Sequence, residues 1–240
     1  HKSAAISSLA TAMVRGAFEY QGQKCSAASR CYIPEEIWED VKEKYLDFVS
    51  TITMGDVNDF GNFMNAVIDE SSFDNIAKYI DYTKNAMDAE IISGGGYDKS
   101  TGYFIEPTTI VTKNAFFKTM EEEIFGPVLT IFVYNESWKD ICTTVDSTSP
   151  YALTGAVFCE DVEALKYANK TLIHSAGNYY INDKPTGAVV GQQPFGGSRA
   201  SGTNDKAGSA MNLLRWTSAR TIKETSTPPT DYQYPFMDEK

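Results

Sequence analysis

Four cysteines, Cys25, Cys31, Cys142 and Cys159, have the widest chemical reach in this 240-residue chain. Cys25 stands out by its setting, Gln-Gly-Gln-Lys-Cys-Ser-Ala-Ala-Ser-Arg over residues 21–30. A lysine precedes the sulfur, and the small residues after it leave one side open, as a nucleophile needs. Thiolate chemistry is set by pKa and access, both of which depend on such surroundings. The competing reading is a small apolar residue packed at the start of a strand. Cys31, Cys142 and Cys159 lie in apolar strand or helix patterns and should be shielded. No C-x-x-C spacing links any pair, so a reduced intracellular setting is expected. With only His1 and His174 to complete a ligand set, structural zinc is not expected.

Other stretches are weaker. Glu121, Glu122 and Glu123 stand together in Met-Glu-Glu-Glu-Ile-Phe-Gly-Pro, just before an apolar run over 128–134. Taken alone, three adjacent carboxylates read as a solvated patch. Residues 56–61 resemble a calcium loop only superficially: Phe60 takes a ligand position, and Val67 stands where a bidentate Glu belongs. Gly94, Gly95 and Gly96 lack the Gly-Lys-Ser/Thr that completes a phosphate loop and read as a turn.

The elements that position Cys25 follow from periodicity. Ile6, Leu9, Ala10, Met13, Val14 and Ala17 recur at steps of three and four, which predicts a helix over 3–20. It runs into Tyr20-Gln21-Gly22 and leaves Cys25 just past its C-terminal end. The helix dipole is negative there and raises a thiol pKa, so activation must come from Lys24, a cofactor or another domain. Cys31-Tyr32-Ile33 continues as a strand stopped by Pro34. Pro34-Glu35-Glu36 then opens a helix to about residue 49, because proline and acids suit the free amides of a first turn. Further helices are predicted over 71–87, 137–145, 162–172 and 205–216. Strands are predicted over 90–93, 103–111 with a break at Pro107, 128–134, 153–158, 177–182 and 217–224. This alternation implies one α/β domain over 1–240, a mostly parallel sheet flanked by helices. The last strand is expected to pair outside the domain.

Composition narrows the partners. Lys and Arg number 21 against 32 Asp and Glu, a net charge of -11, which argues against a nucleic-acid partner. No apolar run approaches the roughly 20 residues that span a bilayer. The chain opens His-Lys-Ser without an initiator Met or a signal pattern, and so reads as part of something longer.

Five motifs occur in order: Gly-Gln-Lys-Cys-Ser-Ala, Glu-Glu-Ile-Phe-Gly-Pro-Val, Tyr-Ala-Leu-Thr-Gly-Ala-Val-Phe, Gly-Asn-Tyr-Tyr-Ile-Asn and Pro-Phe-Gly-Gly-Ser-Arg-Ala-Ser-Gly. Together they resemble the catalytic half of the aldehyde dehydrogenase superfamily. The stretches Gly191-Gln192-Gln193-Pro194-Phe195 and Ser201-Gly202-Thr203-Asn204-Asp205-Lys206 narrow the likeness to the branch that oxidises glutamate γ-semialdehyde. The resemblance implies an NAD-dependent enzyme in which Cys25 is the nucleophile and its backbone amide forms half of an oxyanion hole. It implies that Glu123 holds the nicotinamide-side ribose and that Phe125 packs near the nicotinamide. It maps substrate binding onto Ser26, Gly187, Ala188 and Phe195, with backbone amides and a hydroxyl gripping a carboxylate. Some relatives carry Ser where Ala188 stands, so one side-chain hydrogen bond should be missing here.

Family members carry an upstream NAD-binding domain that supplies the general-base glutamate and the oxyanion-hole asparagine. The chain is therefore expected to act with its own N-terminal NAD-binding domain and to be inactive alone. The resemblance further implies a homodimer or larger assembly, in bacterial cytoplasm or the mitochondrial matrix. A different aldehyde, or a non-catalytic remnant of the fold, stays open at this point.

Overall fold

The computed structural model describes residues 1–238. Its first helix, α1 (Ile6–Phe18), buries Ala10, Met13, Val14 and Ala17, the face that the spacing predicts. Strand β1 (Arg30–Pro34) and helix α2 (Glu35–Ser50) meet at Pro34, whose extended backbone caps α2. Glu35 and Glu36 fill the first turn, where acids favour the free amides. Helix α3 (Glu70–Lys84) begins at Asp69, whose carboxylate accepts from the Ser72 amide at 2.8 Å. Strand β2 (Ala89–Ser93) follows, then the hairpin β3 (Tyr97–Asp98) and β4 (Phe104–Ile105). Pro107 separates β4 from β5 (Thr108–Thr112), as expected. A short helix that periodicity does not reveal, α4 (Lys118–Glu121), leads to β6 (Val128–Tyr134).

The main sheet runs β1-β6-β5-β2, with β1, β6 and β5 parallel and β2 antiparallel at the edge. Strand β6 lies in its interior and shows why this run is almost wholly apolar. Val128, Phe132 and Tyr134 join a core with Phe73, Ile76 and Ile80 of α3. Leu129 and Ile131 face the opposite core, with Met13, Phe18, Val41 and Tyr45 of α1 and α2. A strand covered on both sides has no solvent face to make polar. Tyr45 ties α2 to β5 through a buried 2.7 Å bond between its hydroxyl and that of Thr109.

A second unit packs alongside. Helix α5 (Trp138–Ser147), strands β7 (Tyr151–Ala152) and β8 (Thr154–Val157), helix α6 (Val162–Thr171) and strand β9 (Asn178–Ile181) follow in order. Strands β8 and β9 pair in parallel over a small core of Cys142, Val157, Cys159, Ala168 and Leu172. Strand β10 (Ser198–Arg199) returns to pair with β7.

The expected C-terminal helix holds least well. The helix expected over 205–216 shrinks to α7 (Ala210–Leu213) and one 3-10 turn (Leu214–Trp216). Residues 217–224 form no strand within the chain. Met211, Leu213, Leu214, Trp216 and Ile222 are all exposed, so nothing among the described residues covers the apolar side that would stabilise either element. No helix is long and apolar enough to cross a membrane among the described residues.

Candidate active site

Between α1 and β1 the backbone reverses through three consecutive left-handed residues, Tyr20 (φ 55°), Gln21 (φ 56°) and Gly22 (φ 64°). Such a run is costly for residues with a β-carbon and persists only when its surroundings fix it. Here they do. The Gln21 side chain donates to the Ala66 carbonyl and accepts from the Asn65 amide, both at 3.2 Å. The Gln23 side-chain Oε1 accepts from the Ile68 amide at 3.1 Å. Gly22 lies so close to the next turn that a β-carbon would sit 2.3 Å from the Gly126 carbonyl oxygen. Glycine is therefore obligatory at 22, both for its φ and for that approach.

The contact between Gly22 and Gly126 sets two predicted groups side by side. Cys25 projects from the first turn and is exposed, while Glu123 and Phe125 project from the second, also exposed. Phe125 adopts φ 58°, again left-handed. The second turn is anchored from below. Thr119 and Thr130 share a buried 2.7 Å hydroxyl bond, and the Arg30 guanidinium donates to the Met120 carbonyl at 3.2 Å. Cys25, Glu123 and Phe125 line one cleft of about 320 Å³, floored by residues of β1 and β8. Of the three adjacent acids, Glu122 is engaged by the Tyr79 hydroxyl at 2.7 Å. Glu123 has no salt bridge or side-chain hydrogen bond among the described residues.

The other thiols differ sharply from Cys25. Burial pushes Cys31 up to about 12 and Cys142 up to about 11, and Cys159 is also buried. Cys25 is open while Cys142 and Cys159 are buried, as the flanking residues predict, whereas Cys31 is only half-buried and lines the same cleft as Cys25.

Ser26 is not open to the cleft. It is buried, and its hydroxyl bonds that of Thr186 at 2.8 Å. Through this bond the cysteine turn touches the loop bearing Gly187 and Ala188. Neither of those residues, nor Phe195, lines the 320 Å³ cleft, although Pro185 of the same loop does. Gly187 has φ +89°, but a β-carbon there would meet only the Lys184 side chain, in ordinary contact. The need for glycine is therefore conformational, not a shortage of space. Phe195 is tied to Ala207 by two backbone bonds of 2.8 and 2.7 Å. Asn178 braces the same loop, donating to the Pro194 carbonyl and accepting from the Gly196 amide, each at 3.2 Å.

Sequence reading misses several residues here. Gln21 and Gln23 find partners more than 40 residues away, so no local pattern signals them. Thr186, Glu19 and Lys184 are likewise visible only in three dimensions. Glu19 accepts from both Lys24 and Lys184, so the Lys24 charge is shared with a carboxylate and is not free beside the thiol.

Residues 1–222 match the model of the aldehyde dehydrogenase family, and the chain belongs to that family. Over 238 residues it is 56% identical to the mitochondrial delta-1-pyrroline-5-carboxylate dehydrogenase of Dictyostelium discoideum, covering 99% of this chain and 43% of that protein. The Homo sapiens enzyme of the same name is 48% identical over 239 residues, 99% of this chain and 42% of the relative. The solved Delta-pyrroline-5-carboxylate dehydrogenase of Mycobacterium tuberculosis bound with NAD superposes with a TM-score of 0.87 at 47% identity, covering 99% of this chain and 43% of the other. The chain thus spans less than half the length of the relatives it matches.

Proposed function

We propose that this chain is the thiol-bearing catalytic domain of an NAD-dependent dehydrogenase that oxidises glutamate γ-semialdehyde, the open form of Δ1-pyrroline-5-carboxylate, to glutamate in proline catabolism. What supports the reading is one arrangement. An exposed thiol shares a cleft with an exposed carboxylate and an exposed aromatic, and the adjoining loop is tied to the residue after the thiol. The names of the relatives point to the same substrate.

In this reading Cys25 Sγ attacks the aldehyde carbon, forming the C–S bond as the carbonyl oxygen becomes an oxyanion. The Cys25 backbone N–H donates to that oxygen, stabilising charge where it develops. Bound NAD would supply the hydride acceptor by which the thiohemiacetal at Cys25 becomes a thioester. Water then cleaves the thioester, releasing the acid and freeing the thiol. The residues present suit the dinucleotide: Glu123 is an unpaired acceptor for ribose hydroxyls, and Phe125 offers an aromatic face to a flat ring. No carboxylate or imidazole among the described residues hydrogen-bonds the Cys25 sulfur. We assign the base that deprotonates thiol and water to the NAD-binding domain that the family carries.

Ser26, Gly187, Ala188 and Phe195 take the substrate in this reading. Backbone amides at 187–188 meet its carboxylate, Phe195 lies along its aliphatic chain, and the Ser26 hydroxyl is oriented by Thr186. Ala188 offers no side-chain donor, so the amides carry the contact. The exposed apolar residues from Met211 to Ile222 support assembly with a second copy, in which 217–224 would find a partner strand. For localisation, the relatives named mitochondrial support the matrix in a eukaryotic host, and the cytoplasm is the counterpart in a bacterial one.

The test compares NADH formation from glutamate semialdehyde and from propanal. The semialdehyde should be favoured by orders of magnitude in kcat/KM, because amides desolvated beside an uncharged chain go unpaired. Equal use of both aldehydes, or a preference for propanal, would remove the carboxylate from the account.

A further inference from the structure

Glu19, Lys24 and Lys184 form a cluster to which the scheme above gives no task. Both carboxylate oxygens of Glu19 accept from the Lys184 ammonium at 2.8 Å, and Oε2 also accepts from Lys24 at 3.0 Å. The three side chains are between 24% and 29% exposed, neither on open surface nor in the core. One carboxylate against two ammoniums leaves a net charge of plus one.

The placement of that surplus charge matters. Lys24 lies on the cysteine turn, next to Cys25. Lys184 lies on the loop entering Pro185, Thr186 and Gly187. A β-carbon built on Gly187 would stand 3.6 Å from Lys184 Cε and 3.8 Å from its Nζ. The ammonium therefore abuts Gly187, and Thr186 between them bonds Ser26 at 2.8 Å. The nearest opposing charge on the loop is Asp183, which is exposed and accepts from the Lys184 backbone amide at 2.8 Å.

We propose that Lys184, held beside Gly187 by Glu19, is a specificity-determining residue whose ammonium selects aldehydes that carry a carboxylate. The inference rests on the reading of 187–188 as the carboxylate anchor. Amides and hydroxyls act as dipoles, whose pull on an anion falls quickly with distance. A net charge in a partly desolvated place acts further and favours the anionic substrate from its approach onward. Glu19 keeps two ammoniums close that would otherwise repel, and so fixes where the charge lies.

The experiment measures KM and kcat for glutamate semialdehyde and propanal in the wild-type enzyme and in Lys184→Met, Lys184→Arg and Glu19→Gln. Lys184→Met should raise KM for the semialdehyde roughly 10- to 100-fold, the scale of one lost charged contact, and at least fivefold more than KM for propanal. Lys184→Arg should recover most of that loss. Glu19→Gln keeps both ammoniums but releases Lys184 from its place, and should reduce the preference for the carboxylate by less than Lys184→Met does. Added salt should raise the semialdehyde KM in wild type and much less in Lys184→Met. If Lys184→Met weakens both aldehydes equally, or neither, Lys184 is only a strut and the proposal is wrong. Should that variant fail to fold, a salt-independent semialdehyde KM in wild type overturns the proposal by itself. A wild type without any preference for the carboxylate defeats the anchor reading; a wild-type preference that survives in Lys184→Met defeats only the role of Lys184.

Discussion

The cysteine turn and the 186–208 loop are both built from unusual backbone, yet they are held in different ways. The first places Tyr20, Gln21, Gly22 and Phe125 in left-handed conformations on top of two apolar layers. Phe18, Met120, Ile124 and Val128, buried below it, leave those turns no alternative packing. The loop has Gly187, Gly191, Arg199, Gly202, Asn204, Lys206 and Gly208 at positive φ, and most of its residues are exposed. It is held instead by backbone contacts and a few side chains: Asn178 to Pro194 and Gly196, and Lys206 Nζ to the Gly177 carbonyl at 2.5 Å. The contrast suggests a division of labour. In the proposed scheme, the groups that form bonds sit on the packed sheet, and the groups that would choose the substrate sit on the loop.

The sharpest way to break the comparison is Cys25→Ala. It should lower kcat by about 10⁴-fold or more, as loss of a covalent nucleophile does, while leaving the melting temperature nearly unchanged. Next comes Gly177→Ala, where the new carbon would sit 1.8 Å from the Gly196 carbonyl oxygen. Something must shift, at a cost of about 3 kcal/mol or more, and semialdehyde KM should rise before kcat falls. Thermal melts run beside kinetics would read both effects. Glu123→Gln, at the packed turn, should raise the KM for NAD roughly tenfold with little change in semialdehyde KM. An unchanged NAD requirement would return all three acids to the status of a solvated patch.

The smallest effect concerns acid. Burial alone would raise the Glu19 pKa, but hydrogen bonds from Lys184 and Lys24 outweigh it and hold the carboxyl below its ordinary 4.5. A depressed folded-state pKa means the stabilisation is complete above 4.5 and is lost as pH falls through the lower folded value. Screening at this partly exposed site keeps the contribution small. Urea unfolding of wild type and Glu19→Gln should differ at pH 6 and converge toward pH 3; a gap that persists in acid would mean that the clamp is not electrostatic.

The sequence makes the packed region far more legible than the loop, for a physical reason. Helix α1 and strand β6 are buried by periodic apolar residues, and such periods survive in one dimension. The setting of Cys25 was readable because small neighbours imply access, and the structure leaves that thiol exposed. The bonds that tie the site together are not periodic. Gln21 to Asn65, Ser26 to Thr186 and Glu19 to Lys184 join residues separated by 44 to 165 positions. The C-terminal helix is shorter than its pattern implies because its apolar residues have no surface among the described residues to pack against, and residues 217–224 are expected to find their partner outside the domain.

Differential alkylation tests the central claim most directly. The enzyme is treated with limiting iodoacetamide near neutral pH, the sites are mapped by mass spectrometry, and residual NADH formation is measured in the same samples. Cys25 is exposed, whereas burial holds Cys31 up at about 12 and Cys142 at about 11. Label should therefore accumulate at Cys25 first, activity should fall in proportion to that label alone, and glutamate semialdehyde should slow both. Full activity with Cys25 alkylated, or a loss that follows Cys31, Cys142 or Cys159 instead, would contradict the assignment of Cys25 as the nucleophile.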